Sequence, residues 1–171
     1  MTEGAVPPLV ELCSSSTDNR VLGYAAETLL NLALHEGSGP QIVQEGAVRP
    51  LVQLCKTSDD NTMLQYAALA LANLALHESS RVRIVEDGAV QPLVQLCSTS
   101  EDNTALGYSA LALARLAVPE GTNMTAEVGA SALYGLVKAQ QTLGRNLPVF
   151  LIQPLADAIA ALTPKPPPQL S

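Results

Sequence analysis

The sequence predicts an all-α solenoid of about three to four repeats, and three observations predict it. The first is a period of 42 residues, seen in the spacing of Gly4, Gly46 and Gly88. The second is composition: 47% of the residues are hydrophobic but only 3% are aromatic, which suits close-packed helices better than a β-sandwich. The third is punctuation, because each period contains the glycine, proline and capping residues that bound two or three short helices.

The two central copies are nearly identical, with 24 of 33 residues shared between 46–78 and 88–120. We therefore divide the chain into one solenoid domain and a tail. The solenoid spans 1–162, with repeats at roughly 3–36, 37–78 and 79–120 and a degenerate C-terminal cap at 121–162, and a Pro-rich extended tail follows at 163–171.

Each full repeat is predicted to begin with a short helix and to continue into a second one. In the copy at 79–120, two serines cap a helix at 81–86, which ends before Gly88. Pro92 then lies in the first turn of the second helix, where a missing N–H is tolerated. That helix is expected to run to about Cys97.

A polar turn separates the second helix from the third. In the same copy the third helix is predicted at about 104–117, with Asp102 or Asn103 as its N-cap. One period earlier the equivalent helix is predicted at 62–76, so this longest helix of the repeat recurs with the same punctuation.

The two ends of the array depart from the pattern. Residues 129–133 have the sequence of a second-helix start, and 147–162 stand in for a third helix that Pro148 and Pro154 interrupt. Terminal repeats of solenoids are expected to be atypical, because they face water on one side. The first repeat lacks a first helix, so we expect a less protected N-terminal end.

This pattern resembles the armadillo repeat. The resemblance rests on the segment GAVRPLVQL at 46–54 for the second helix and on 61–76, with its Ala-Asn-Leu-Ala motif at 72–75, for the third. It covers 3–120 clearly and 121–162 loosely. The resemblance implies a right-handed α-solenoid of about three to four armadillo-like repeats that serves as a non-enzymatic scaffold binding proteins or peptides.

On a helical wheel, the third helix has two distinct sides. One side is apolar and is expected to face the core; in the second copy it contains Leu64, Ala67, Ala68, Leu71 and Ala75. The opposite side carries a stripe that recurs three times. Its members are Tyr24, Glu27, Asn31 and His35, then Tyr66, Leu69, Asn73 and His77, then Tyr108, Leu111, Arg115 and Pro119.

The resemblance implies that this stripe lines a concave groove. The family's asparagine at the position of Asn31 and Asn73 holds the backbone of an extended peptide, since an amide offers both a donor and an acceptor. Arg115 replaces the third asparagine, and the groove tryptophans of importin-type proteins are absent. The candidate partner-binding residues are Tyr24, Glu27, Asn31, Tyr66, Leu69, Asn73, Tyr108, Leu111 and Arg115.

Tyrosine and leucine in these positions favour an apolar peptide, or the apolar face of a helix, over a nuclear localisation signal. The alternative is that each tyrosine packs on the neighbouring repeat and that the asparagines bond local backbone. A second functional hypothesis is self-association through the unprotected N-terminal end, as a dimer or a head-to-tail stack. A third is that the chain is an excerpt of a longer armadillo protein.

Other functional classes are disfavoured by charge and spacing. A net charge of −7 argues against nucleic-acid binding. His35 and His77 lie one repeat apart, about 10 Å by helix packing, too far to share a metal ion. We expect both to be exposed ridge residues, and we predict no catalytic residue and no cofactor.

The three cysteines and the hydropathy pattern complete the prediction. Cys13, Cys55 and Cys97 occupy one position in successive repeats, too far apart for a disulfide, and are expected to be small buried hydrophobes. Neither a signal peptide nor a membrane span is predicted. We therefore expect an intracellular, cytoplasmic protein, with the nucleus left open.

Overall fold

Helices form where the repeat predicts them. The computed structural model describes residues 4–35, 37–117 and 125–163. In chain order the helices are α1 Val6–Ser15, α2 Asn19–Ala33, α3 Gly39–Gln44, α4 Val48–Thr57, α5 Asn61–Leu74, α6 Glu78–Glu86, α7 Val90–Thr99, α8 Asn103–Leu116, α9 Ala126–Leu143 and α10 Val149–Leu162. Of the predicted tail, only Thr163 lies among the described residues, and Pro119 lies outside them.

The third helix of each repeat begins at an aspartate cap. Asp60 Oδ1 accepts hydrogen bonds from the backbone N–H groups of Thr62, at 2.8 Å, and Met63, at 3.1 Å. Asp18 caps α2 and Asp102 caps α8 in the same way. Of the two caps considered for α8, the structure thus selects Asp102. The carboxylates also lie at the positive ends of the helix dipoles.

Helix α6 begins earlier than predicted. Ser79 and Ser80 are not its caps; both lie inside the helix, whose N-cap is His77, without a side-chain cap hydrogen bond. The backbone turns directly from α5 into α6, with Ser80 N–H bonded to the His77 carbonyl. His77 is half-buried, and its ring lies against Gly39 where a side chain would clash. The expectation that His77 is an exposed ridge residue was therefore wrong.

The C-terminal cap also differs from the prediction. The segment 129–133 is not the start of a helix, because α9 already begins at Ala126, with Thr125 as its N-cap. Pro154 does not interrupt α10, which is continuous around it. Removing one N–H is tolerated here because Leu151 and Leu155, on either side of the proline, are both buried and anchor the helix.

The helices stack in layers that run along the solenoid. One layer consists of helices packed side by side in the order α2, α5, α8 and α10. The second layer, α1, α4, α7 and α9, packs against one face of the first. The predicted core face of α5 is buried throughout: Leu64, Ala67, Ala68, Leu71 and Ala75 are at most 7% exposed. Alanine recurs along these contacts, which lets neighbouring helices approach closely.

Glycine and polar links fix the joints between helices. Gly46 and Gly88, in equivalent positions, adopt φ of 87° and 81°, as a glycine that follows a helix end can do without strain. Asp87 is nearly buried and accepts from Arg49 Nε at 3.0 Å and Arg83 Nε at 2.9 Å. It thereby ties α4 to the end of α6.

Candidate functional site

The stripe of the first repeat is open to solvent. On α2, the Tyr24 side chain is 69% exposed, Asn31 is exposed and Glu27 is half-buried. Among the described residues, α2 packs on one side against α5, the third helix of the next repeat. In this part of the chain, no equivalent helix packs against its other side. The first rung of the expected ladder can therefore be reached by a partner.

The stripe is less accessible in the next two repeats. Tyr66 and Leu69 are half-buried and pack against the core. Asn73 and Leu111 are each 5% exposed, so the helical wheel, which places them opposite the core, misses their burial. The reason is lateral packing, because α5 lies between α2 and α8, and α8 lies between α5 and α10. A helical wheel considers one helix alone and does not include such neighbours.

A cleft lies between α2 and α5 at the open end of the stripe. It encloses about 290 Å³ and is lined by Tyr24 and Tyr66, with Glu27 beside them. Residues that the sequence argument did not select complete the lining: Asn19, Arg20, Gly23, Asp60, Thr62 and Met63. The N-cap among them, Asp60, could have been found from the repeat, because an aspartate cap recurs at Asp18, Asp60 and Asp102.

Arg115 crosses from α8 to α5. Its Nη1 donates to the Ala72 carbonyl at 2.8 Å and to Asn73 Oδ1 at 3.2 Å. Burial lowers the pKa of the guanidinium from its ordinary value, but an arginine remains charged at neutral pH. The third rung of the ladder is thus bonded to the second.

The tyrosine of the third repeat has an aromatic neighbour. The rings of Tyr108 and Phe150 lie 6.2 Å apart between centroids, tilted by 30°. Phe150 follows Tyr108 by one period of 42 residues, so it is the fourth member of the aromatic series. The sequence argument missed it, although the period alone would have found it.

The remaining predicted chemistry can be placed as follows. Cys13, Cys55 and Cys97 are buried free thiols, as expected, and burial raises their pKa to about 11, 12 and 12. Within the described ranges, no group of three or more potential ligands could hold a metal ion. Across the same ranges, every helix is too short or too polar to cross a membrane.

Comparison with known proteins agrees with this geometry. The armadillo/beta-catenin-like repeat matches residues 2–34 and 40–76. The chain has the fold of an armadillo-repeat solenoid. Among solved structures, a designed armadillo repeat protein superposes with a TM-score of 0.78 at 24% identity, over 94% of this chain and 65% of that one.

Two further structures are more similar in sequence. An engineered protein is 32% identical, with a TM-score of 0.76 over 93% of this chain and 38% of its own length. Computationally designed armadillo repeat proteins for modular peptide recognition are 26% identical, with a TM-score of 0.76 over 92% and 64%. The chain thus spans less than two-thirds of the length of these structures. No curated protein matches the sequence.

Proposed function

We propose that this armadillo solenoid is a non-enzymatic scaffold that binds an extended peptide along the stripe of its third helices. The observation that carries the proposal is the open cleft between α2 and α5, flanked by Tyr24 and Tyr66 of successive repeats. An exposed tyrosine beside an open, partly apolar cleft is typical of contact surfaces, because its ring offers a large apolar area with a polar end.

Residues of the cleft, and residues of the stripe beyond it, have distinct roles in this proposal. Tyr24 and Tyr66 hold an apolar side chain of the peptide between their rings. Asn31 is exposed and, in the same register as the peptide-holding asparagine of the family, bonds the peptide backbone through its amide. Glu27 and Leu69 lie between these positions along the stripe and set which neighbouring side chains fit.

The similar designed proteins support this use of the fold. These proteins were designed for modular peptide recognition, and they are 26% identical to this chain. In such an array each repeat presents one equivalent set of side chains, and neighbouring sets are spaced by helix packing at about 10 Å. In the first two repeats this chain carries tyrosines at equivalent positions, Tyr24 and Tyr66.

The test starts from a library of random peptides with both ends blocked. Peptides that bind the intact protein are selected from it. We expect the double variant Tyr24→Ala, Asn31→Ala to weaken the selected peptides by about tenfold or more, as for residues central to an interface. The matched control is Tyr134→Ala, Asn146→Ala, because these exposed residues lie on α9 and in the turn after it. Affinity is measured by calorimetry and folding by circular dichroism.

Equal losses in the two double variants would contradict the proposal, because binding would then not depend on the cleft. So would backbone amide shifts on peptide addition that fall outside α2 and α5 in a nuclear magnetic resonance spectrum of the protein.

A second candidate function is self-association, favoured by an apolar face of α1. Leu12 is 42% exposed, whereas its equivalents Leu54 and Leu96 are 4% and 7% exposed. The same leucine is therefore buried wherever another repeat covers it. At the other end of the described solenoid, Val149 and Ile152 on α10 are 86% and 48% exposed. Two such faces could cover each other between copies of the chain.

A further inference from the structure

Two asparagines in equivalent positions have different surroundings. Asn31 and Asn73 lie one period apart on α2 and α5. Asn31 is exposed, whereas Asn73 is only 5% exposed. Identical residues in equivalent positions would be expected to offer a peptide the same amide, so the difference needs a cause outside their own helices.

Besides the packing of α5 between α2 and α8, the residue at the equivalent position of the following repeat contributes to this difference. Arg115 is long enough to reach back to α5, where Nη1 donates to the Ala72 carbonyl at 2.8 Å and to Asn73 Oδ1 at 3.2 Å. Ala72 lies in the last turn of α5, where carbonyls lack intrahelical partners and the helix dipole favours a cation. For Asn31 the corresponding residue is Asn73 itself, whose shorter side chain makes no such contact among the described residues.

Arg115 occupies the amide oxygen of Asn73, and burial makes the amide nitrogen inaccessible to a peptide. This nitrogen, Nδ2, has no hydrogen-bond partner in the described part of the chain. A peptide unit needs one donor and one acceptor from such an amide. Burying a donor without a partner is unfavourable, and the two hydrogen bonds of Arg115 help to offset this penalty.

We propose that Arg115 closes the groove at the second rung and so limits the partner to a short, extended, apolar peptide segment held between α2 and α5. This inference rests on the proposed function and adds the length of the ligand. With neighbouring repeats about 10 Å apart and a rise of about 3.3 Å per extended residue, one open step accommodates about three residues. Flanking contacts at Tyr24 and Leu69 extend the segment to about five residues.

The experiment compares ligand length between the wild-type protein and Arg115→Asn, which restores the asparagine found in the first two repeats. Blocked random peptides are selected on each protein and then shortened. We expect wild-type ligands to keep their affinity within about twofold when cut to about five residues. Ligands of Arg115→Asn should lose about tenfold on the same shortening, because they also contact Asn73. Arg145→Asn, at an exposed position in the turn after α9, is the control for the lost charge.

A second measurement needs no change at Arg115 and covers the case in which that variant folds poorly. In the wild-type protein, Asn73→Ala should leave peptide affinity unchanged within about twofold, while Asn31→Ala lowers it by about tenfold. Equal losses from the two alanine substitutions would overturn the closure.

The outcomes separate the two proposals. If wild-type ligands bind the α2–α5 cleft but need the same length as those of Arg115→Asn, the closure is wrong and the peptide-binding function stands. If neither protein selects a peptide that shifts α2 and α5 resonances, the proposed function fails and the closure fails with it.

Discussion

Among single residues, the three cysteines show how position in a repeat sets chemical reactivity. Each occupies the same place on the second helix of its repeat, and each is buried. Burial without a charged partner disfavours the thiolate, so the pKa of Cys55 rises from 9.0 to about 12. Because the thiolate is the nucleophile, these side chains behave as small apolar groups rather than as reactive thiols.

We expect this burial to be visible in thiol reactivity and in the pH dependence of folding. With DTNB near neutral pH, the thiols should react slowly in the native protein and rapidly in urea. A folded pKa above the unfolded value means that stability is constant below about 9 and falls as pH rises from 9.0 towards about 12, since only the unfolded thiol ionises.

Urea denaturation on either side of pH 9.0 measures this fall, and Cys55→Ala should remove part of it. A native thiol that reacts with DTNB as fast as the unfolded chain would contradict the burial of these residues.

At the scale of the helix, the aspartate caps carry the local information that starts each third helix. Asp60 bonds two backbone N–H groups at the start of α5, whereas its neighbour Asp59 is exposed and caps nothing in the described structure. The pair offers a matched comparison of the same side chain, in the same turn, with and without a capping bond.

We expect Asp60→Ala to lower the free energy of unfolding by about 1 kcal/mol, in the range of measured N-cap substitutions. Asp59→Ala should change it by less than about 0.5 kcal/mol, as for other exposed positions. Urea denaturation followed by circular dichroism at helical wavelengths provides both values. Equal effects of the two substitutions would show that charge in the turn, rather than the cap, stabilises α5.

Elements with repeated punctuation could be predicted from the sequence, and elements shaped by neighbours could not. The glycines, prolines and aspartates of the repeat predicted α4, α5, α7 and α8 to within a few residues. The start of α6 was misplaced, because Ser79 and Ser80 have the composition of a cap while the turn from α5 into α6 decides where the helix begins. Pro154 was expected to interrupt α10, but buried leucines on both sides keep the helix intact.

The candidate site shows the same division. Periodicity alone predicted which residues share the stripe, and it also contained Phe150, 42 residues after Tyr108. It could not predict that Asn73 is buried while Asn31 is exposed. This difference depends in part on the Arg115 side chain, which reaches from α8 to α5. A helical wheel describes one helix at a time, and the accessibility of a ladder is a property of several.

At the scale of the whole molecule, the array leaves an apolar face at each end of its described part. Positions that are buried in the middle of the solenoid are exposed on α1, where Leu12 is 42% exposed against 4% for Leu54. Burying apolar surface contributes about 25 cal/mol per Å². Covering these faces is therefore favourable for any partner of matching shape, including the other end of a second copy.

We expect the mass measured by size-exclusion chromatography with light scattering to rise above 17.8 kDa as the protein concentration increases. Leu12→Glu should return it to the monomer value, because a charge on this face cannot be buried against α10 without a large desolvation penalty. Leu76→Glu is the control: Leu76 is 55% exposed but lies between α5 and α6, away from both ends. A mass that stays at 17.8 kDa at every concentration would exclude self-association and leave the cleft between α2 and α5 as the working surface.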